Sequence, residues 1–109
     1  KKNERRESMY EEVMAELKME NPILTGGTVD ERVYPCKILT YDKGEEFIYL
    51  SLLQGELPHI LLDAVYQCKL ILEEEVILCD GMIKERYQNE EGKILILQVE
   101  NGFYKINIK

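Results

Sequence analysis

The sequence has few of the side chains from which catalytic sites are built. Its 109 residues include no tryptophan, one histidine and two serines. His59 has no sequence neighbour that would make it a general base, Ser8 fits a helix cap, and Ser51 lacks the flanking glycines of a nucleophile elbow. We therefore predict that the protein is not an enzyme and has no catalytic residue, no cofactor and no metal ligand.

The cysteines do not form a metal or disulfide pattern. Cys36, Cys68 and Cys79 are widely spaced, odd in number and without a CxxC pair. Each lies in an apolar run, where a free cysteine behaves as a small buried hydrophobic residue. We expect reduced thiols and a cytoplasmic location.

Long apolar runs and excess positive charge are also missing. No apolar stretch approaches the roughly 20 residues that span a bilayer, and no signal segment opens the chain. Acidic residues outnumber basic residues by 21 to 14, which gives a net charge of −7. We predict neither membrane insertion nor nucleic-acid binding, because a phosphate backbone would be repelled.

The first predicted element is a helix over residues 8–20, with its apolar residues at helical spacing. Ser8 and Glu11 form a capping-box pattern, and Asn21-Pro22 ends the helix. Its apolar stripe needs a partner surface, either an open end of this domain or another chain or domain. Because the chain begins with Lys1, we interpret it as part of a larger protein.

Strand patterns follow the helix. Asp42-Lys43-Gly44-Glu45 provides a hairpin connection, and Glu73-Glu74-Glu75 provides a solvated turn. Asp80-Gly81 fits either a hairpin turn or a glycine bulge that bends one long strand, and we favour the bent strand. The predicted strands are 33–41, 46–53, 58–62, 65–72 and 76–87.

The last seventeen residues predict a closing hairpin. Two apolar runs flank Asn101-Gly102, a dipeptide that tolerates the positive φ of a type I′ turn. Residues 94–97 are apolar on both faces, which indicates burial from both sides. We expect the helix over 8–20 to cover their outer face.

Together these patterns predict a mainly β fold: a small, antiparallel, six- or seven-stranded split barrel over 33–109 with one N-terminal α-helix, forming a single domain over 1–109. Small barrels need kinks such as the one at Gly81 to curve round. The best candidate for a partner surface is the charged segment with an adjacent aromatic, which comprises Lys84, Glu85, Arg86 and Tyr87.

The order of elements resembles the N-terminal barrel of flagellar-brake proteins, which precedes a PilZ domain in bacterial cyclic diguanylate receptors. The resemblance lies in three features: the strand pair 36–39 and 47–50, the bent strand 77–86 with Gly81, and the closing hairpin at 101–104. It implies a barrel that contacts a partner or a PilZ domain without binding the nucleotide. The nucleotide-binding RxxxR and D/NxSxxG motifs of that family are absent from this sequence.

We accordingly predict a non-catalytic regulatory or interaction module in cyclic diguanylate-linked control. Its partner would be another protein, an adjacent domain or a second copy of the chain. One alternative is a small-ligand carrier that uses the barrel mouth, since strand tyrosines could line such a site. A second is an enzyme whose site forms between subunits.

Overall fold

The protein is a closed, six-stranded antiparallel barrel in a computed structural model that describes residues 10–20 and 31–106, with side chains up to Tyr104. The strand order around the barrel is β1-β2-β3-β6-β5-β4, and β4 pairs with β1 to close it. This confirms the predicted β-barrel. The strands are β1 (Met14–Met19), β2 (Val33–Asp42), β3 (Phe47–Leu52), β4 (Val65–Ile71), β5 (Val76–Asn89) and β6 (Gly92–Ile106).

The predicted helix over 8–20 is wrong for its described part. Residues 10–12 form a turn, and β1 follows with the alternating burial of a strand. Ala15, Leu17 and Met19 point into the core, whereas Met14 is 44% exposed. The reason is tertiary: β1 pairs with β2 on one side and β4 on the other, and without it both would be open edges. Ser8 lies outside the described residues.

The predicted hairpin at Asn101-Gly102 is also wrong. β6 runs continuously through both residues, and Asn101 lies opposite Asp80 of β5. The bent strand is confirmed instead, because β5 is continuous through Gly81 and its register with β6 shifts on both sides of Asp80. Long-range pairing at this bulge has overridden the local turn preference of Asn-Gly.

Residues 58–62 do not form the predicted strand. A 3-10 turn over Leu57–His59 lies within the loop that joins β3 to β4 across one end of the barrel. The backbone amide of Leu61 donates to the Tyr66 hydroxyl at 3.0 Å, which fixes the loop to β4. Ile60 is fully buried in the core, so the loop caps this end.

The opposite end is closed by three aromatic rings. Tyr10 and Tyr41 each pack against Phe103, with ring centroids 5.5 and 5.2 Å from it. Between the two ends, each strand contributes inward-facing apolar residues to one core cluster. The barrel interior is therefore filled by side chains along its length.

The predicted burial of residues 94–97 is confirmed, although the predicted cover is wrong. Leu95 and Leu97 face the core, while Ile94 and Ile96 lie on the outer side and are also buried. Across the strands, Ile94 lies opposite Tyr87 of β5, and Ile96 lies opposite Tyr49 of β3. Neighbouring strands provide the aromatic residues on this face.

Candidate functional site

The interior of the barrel contains the three cysteines. Cys36, Cys68 and Cys79 are free and buried, as predicted. Cys68 and Cys79 are cross-strand partners on β4 and β5. Burial raises the pKa of Cys36 to about 12, and the pKa of Cys68 is raised by a hydrogen bond with Cys79 and by burial. Because the thiolate is the nucleophile, the thiols of Cys36 and Cys68 are poorly suited to covalent catalysis in the folded state.

His59 lies on the surface at the end of the 3-10 turn. Its Nδ1 atom is 3.2 Å from Nη1 of Arg32, which can only donate, so Nδ1 accepts this hydrogen bond. The histidine is exposed, whereas the three cysteines are buried. The structure therefore does not bring His59 and a cysteine into the arrangement of a nucleophile and its base. In the part of the chain that the structure describes, no cluster of three or more histidine, cysteine or carboxylate side chains is placed to hold a metal.

The segment from Lys84 to Tyr87 lies on β5, but its four side chains do not form one patch. A register shift between Ile83 and Glu85 marks a bulge at Lys84. Lys84 forms an ion pair with Asp63 at 3.4 Å. Nη1 of Arg86 donates to the backbone carbonyl of Ile60 at 2.6 Å. These two cations therefore hold the loop that caps the barrel.

Glu85 and Tyr87 belong to the outer face. Tyr87 is 39% exposed, and Glu85 is exposed opposite Ile96. The same row of cross-strand positions continues through Ile96 to Tyr49 on β3. Tyr49 packs edge-on against Phe47, with ring centroids 6.5 Å apart. We call the set Phe47, Tyr49, Glu85 and Tyr87 the aromatic face.

The aromatic face is built on a rigid base. Its side chains lie on β3 and β5, which flank and pair with β6, around the buried Ile94 and Ile96 of β6. An open groove of about 460 Å³ borders it, lined by residues of the β2–β3 hairpin and by Tyr49. Sequence reasoning found Tyr87 but missed the contribution of Phe47 and Tyr49, because only the β3–β6–β5 order brings them together.

A group of polar side chains lies on the outer surface of the barrel, away from the aromatic face. Asp80 of β5 is opposite Gln67 of β4 and Asn101 of β6. Nδ2 of Asn101 donates to Oδ2 of Asp80 at 3.3 Å. Glu20, just beyond β1, completes this group through its interaction with Asp80. No pattern in the sequence connects Glu20 with Asp80, since the two residues lie sixty positions apart.

Comparisons with known proteins do not assign this chain to a family. No family model, no curated protein and no solved structure matches it. Over residues 10–20 and 31–106, no helix has the length and apolar character needed to cross a membrane. The geometry of the barrel is therefore the basis for proposing a function.

Proposed function

We propose that the protein is a non-catalytic interaction module that binds another protein or an adjacent domain through the aromatic face. The observation that carries this proposal is the filled interior. Apolar side chains occupy the described barrel, the capping loop closes one end, and an aromatic cluster closes the other. A protein that carries a small ligand in its barrel mouth needs an interior space, so we assign recognition of the partner to the outer surface.

The composition of the aromatic face supports this role. Aromatic residues are enriched at protein interfaces, where rigid rings bury large areas at a low cost in conformational entropy. Tyr87 and Tyr49 have polar hydroxyls and apolar rings, and strand pairing holds their backbones in place. Glu85 adds a charge at the rim, where it would select a partner with a complementary positive group.

We further propose a cytoplasmic role in cyclic diguanylate-linked regulation, in line with the resemblance to the flagellar-brake barrel. In this role the barrel presents its outer face to a partner, and a neighbouring nucleotide-bound domain changes its orientation. The chain itself would not bind the nucleotide, since the sequence has neither of the two nucleotide-binding motifs. Its net charge of −7 also disfavours an anionic ligand.

The aromatic face can be tested with a matched pair of tyrosines. Tyr87 and Tyr104 are similarly exposed, at 39% and 43%, but Tyr104 lies outside the aromatic face. A photoreactive aromatic residue at position 87 of the full-length gene product, expressed in its native host, should cross-link to a discrete partner or adjacent domain. The same probe at position 104 should not. Equal cross-linking at both positions, or none at position 87, would contradict the proposal.

The identified partner then allows a quantitative measurement. Tyr87→Ala should weaken its binding at least about tenfold, as expected for an interface anchor, whereas Tyr104→Ala should leave the Kd unchanged. Calorimetric titration of the 109-residue chain with cyclic diguanylate should give no binding heat. A tight 1:1 complex with the nucleotide would contradict the proposed division of roles.

A further inference from the structure

The polar group around Asp80 contains an unsatisfied acceptor. Oδ2 of Asp80 accepts from Asn101, whereas Oδ1 is buried and has no hydrogen-bond partner among the residues that the structure describes. Buried polar atoms are nearly always paired, because an unpaired one loses its hydration without compensation. Asp80 also lies where the β5–β6 register shifts on both sides of it, so its position is set by the bulge. The structure therefore needs a donor next to Oδ1.

Glu20 can supply this donor when it is protonated. Its backbone amide donates to the carbonyl of Val65 at 2.9 Å, which extends the β1–β4 pairing by one residue and places Glu20 beside β4. A hydrogen bond with Asp80, partial burial and the negative charge of Asp80 raise the pKa of Glu20 from 4.5 to about 7. Two neighbouring carboxyl groups favour the state in which they share one proton.

Other charged groups lie on the strands around this pair. Lys18 of β1 lies in the same cross-strand row as Asp80, with Gln67 of β4 between them, and Lys69 of β4 forms an ion pair with Glu16 at 3.9 Å. From β6, Tyr104 interacts electrostatically with both carboxyl groups, and Glu100 is exposed beside the bulge. Beyond Val65, the cation Lys84 is paired with Asp63.

We propose that Glu20 and Asp80 share a proton that fastens the end of β1 to the bulge of β5, and that losing this proton near neutral pH loosens the barrel there. The proton is held between one oxygen of Glu20 and Oδ1 of Asp80. Its loss leaves two carboxylates facing each other and restores the unsatisfied acceptor. This device is independent of the aromatic face, which lies on β3 and on the other half of β5.

The direction of the pH effect follows from linkage. The folded state holds the Glu20 proton more tightly than the unfolded chain does, because the Glu20 carboxyl group has its ordinary pKa of 4.5 in the unfolded chain. The stabilisation is therefore complete below about pH 4.5 and is lost as the pH rises through about 7. Because Glu20 is partly exposed, we expect the unfolding equilibrium constant to rise by only about tenfold between pH 5 and pH 8 through this group.

The test compares urea unfolding of three proteins at pH 5 and pH 8: the unsubstituted chain, Glu20→Gln and Glu73→Gln. Glutamine can donate to Asp80 Oδ1 at every pH, so Glu20→Gln should remove the roughly tenfold dependence. Glu73, exposed in the β4–β5 turn, controls for the loss of one negative charge, and its variant should keep the dependence. Equal pH dependence in all three proteins would overturn the proposal.

Two spectroscopic measurements locate the effect. A ¹³C titration of the side-chain carboxyl carbon of Glu20 should give a midpoint near 7, and a midpoint below 5 would overturn the shared proton. Amide exchange at Glu20, corrected for its intrinsic pH dependence, should accelerate from pH 5 to pH 8 in the unsubstituted chain. Constant protection across this range would contradict the loosening, even if the carboxyl titrates as expected.

Discussion

Gly81→Ala is expected to destabilise the barrel by about 3 kcal/mol, enough to leave much of the protein unfolded under mild denaturing conditions. A Cβ atom at Gly81 would overlap the backbone carbonyl oxygen of Gln98 and lie 3.0 Å from Cγ of Leu97. The nearest obstacle is backbone of the paired strand β6, which cannot rotate away as a flexible side chain could. Chemical denaturation followed by circular dichroism measures the loss.

Gly102→Ala is the matched control for this substitution. Both glycines lie in the paired β5–β6 region, but a Cβ atom at Gly102 would have no atom of the described residues within 4 Å, and the φ of Gly102 is not positive. We expect a change within about 0.5 kcal/mol. A type I′ turn at Asn101-Gly102 would instead make this variant costly, because its φ would be positive. A larger loss at Gly102 than at Gly81 would therefore contradict the bent-strand account.

Leu50→Ala is expected to cost about 2–5 kcal/mol in the free energy of unfolding. Leu50 of β3 is fully buried, with Ile38 and Leu95 as its cross-strand partners. Truncating it in a filled barrel leaves a cavity, and closed strand pairing on both sides limits how far the backbone can relax. Urea unfolding at constant pH measures the difference.

The matched substitution on the surface is Leu53→Ala. Leu53 follows β3 directly and is 48% exposed. Its structural contact is the backbone hydrogen bond to the carbonyl of Pro35, which alanine keeps. We expect a loss below about 1 kcal/mol. Similar losses at Leu50 and Leu53 would mean that the barrel interior is not packed as described.

Local patterns were sufficient for the middle strands. The residues of β2, β3 and β4 are buried in alternation or in continuous apolar runs, and the polar turn between β2 and β3 is a local signal. The bend at Gly81 was also predictable, because a glycine within an otherwise strand-like run indicates a bulge. These features depend on neighbouring residues, so the sequence carries them directly.

The errors arise where long-range pairing decides the structure. The segment that contains β1 fits two periodic patterns. Helical spacing relates Tyr10, Val13, Met14 and Leu17, whereas strand spacing relates Ala15, Leu17 and Met19. The six residues of β1 are too few to distinguish a helix from a strand. The open edges of β2 and β4 make this segment a strand. At Asn101-Gly102, pairing with the bulge of β5 likewise overrides turn propensity.

The candidate sites were predictable only in part. The sequence identified the segment 84–87 as a charged run beside an aromatic residue. Because of the bulge at Lys84, the side chains of Lys84 and Arg86 contact the capping loop, whereas those of Glu85 and Tyr87 lie on the outer face. The contribution of Tyr49 depends on the β3–β6 register, and the proximity of Glu20 to Asp80 depends on barrel closure. Contacts of this kind have no local sequence signal.

Closure of the barrel by β1 is the central claim, because it makes the interior a filled core, and the proposed recognition role of the outer surface depends on that filled core. The most direct test is a nuclear Overhauser measurement on the labelled 109-residue chain. The amide of Glu20 bonds to Val65, so Leu17 and Cys68 occupy a non-hydrogen-bonded pair, in which Cα atoms lie about 4.5 Å apart. We predict a strong Hα–Hα contact between Leu17 and Cys68. Sequential amide–amide contacts through residues 13–19 without that cross-strand contact would indicate a helix and an open barrel, and would contradict the account.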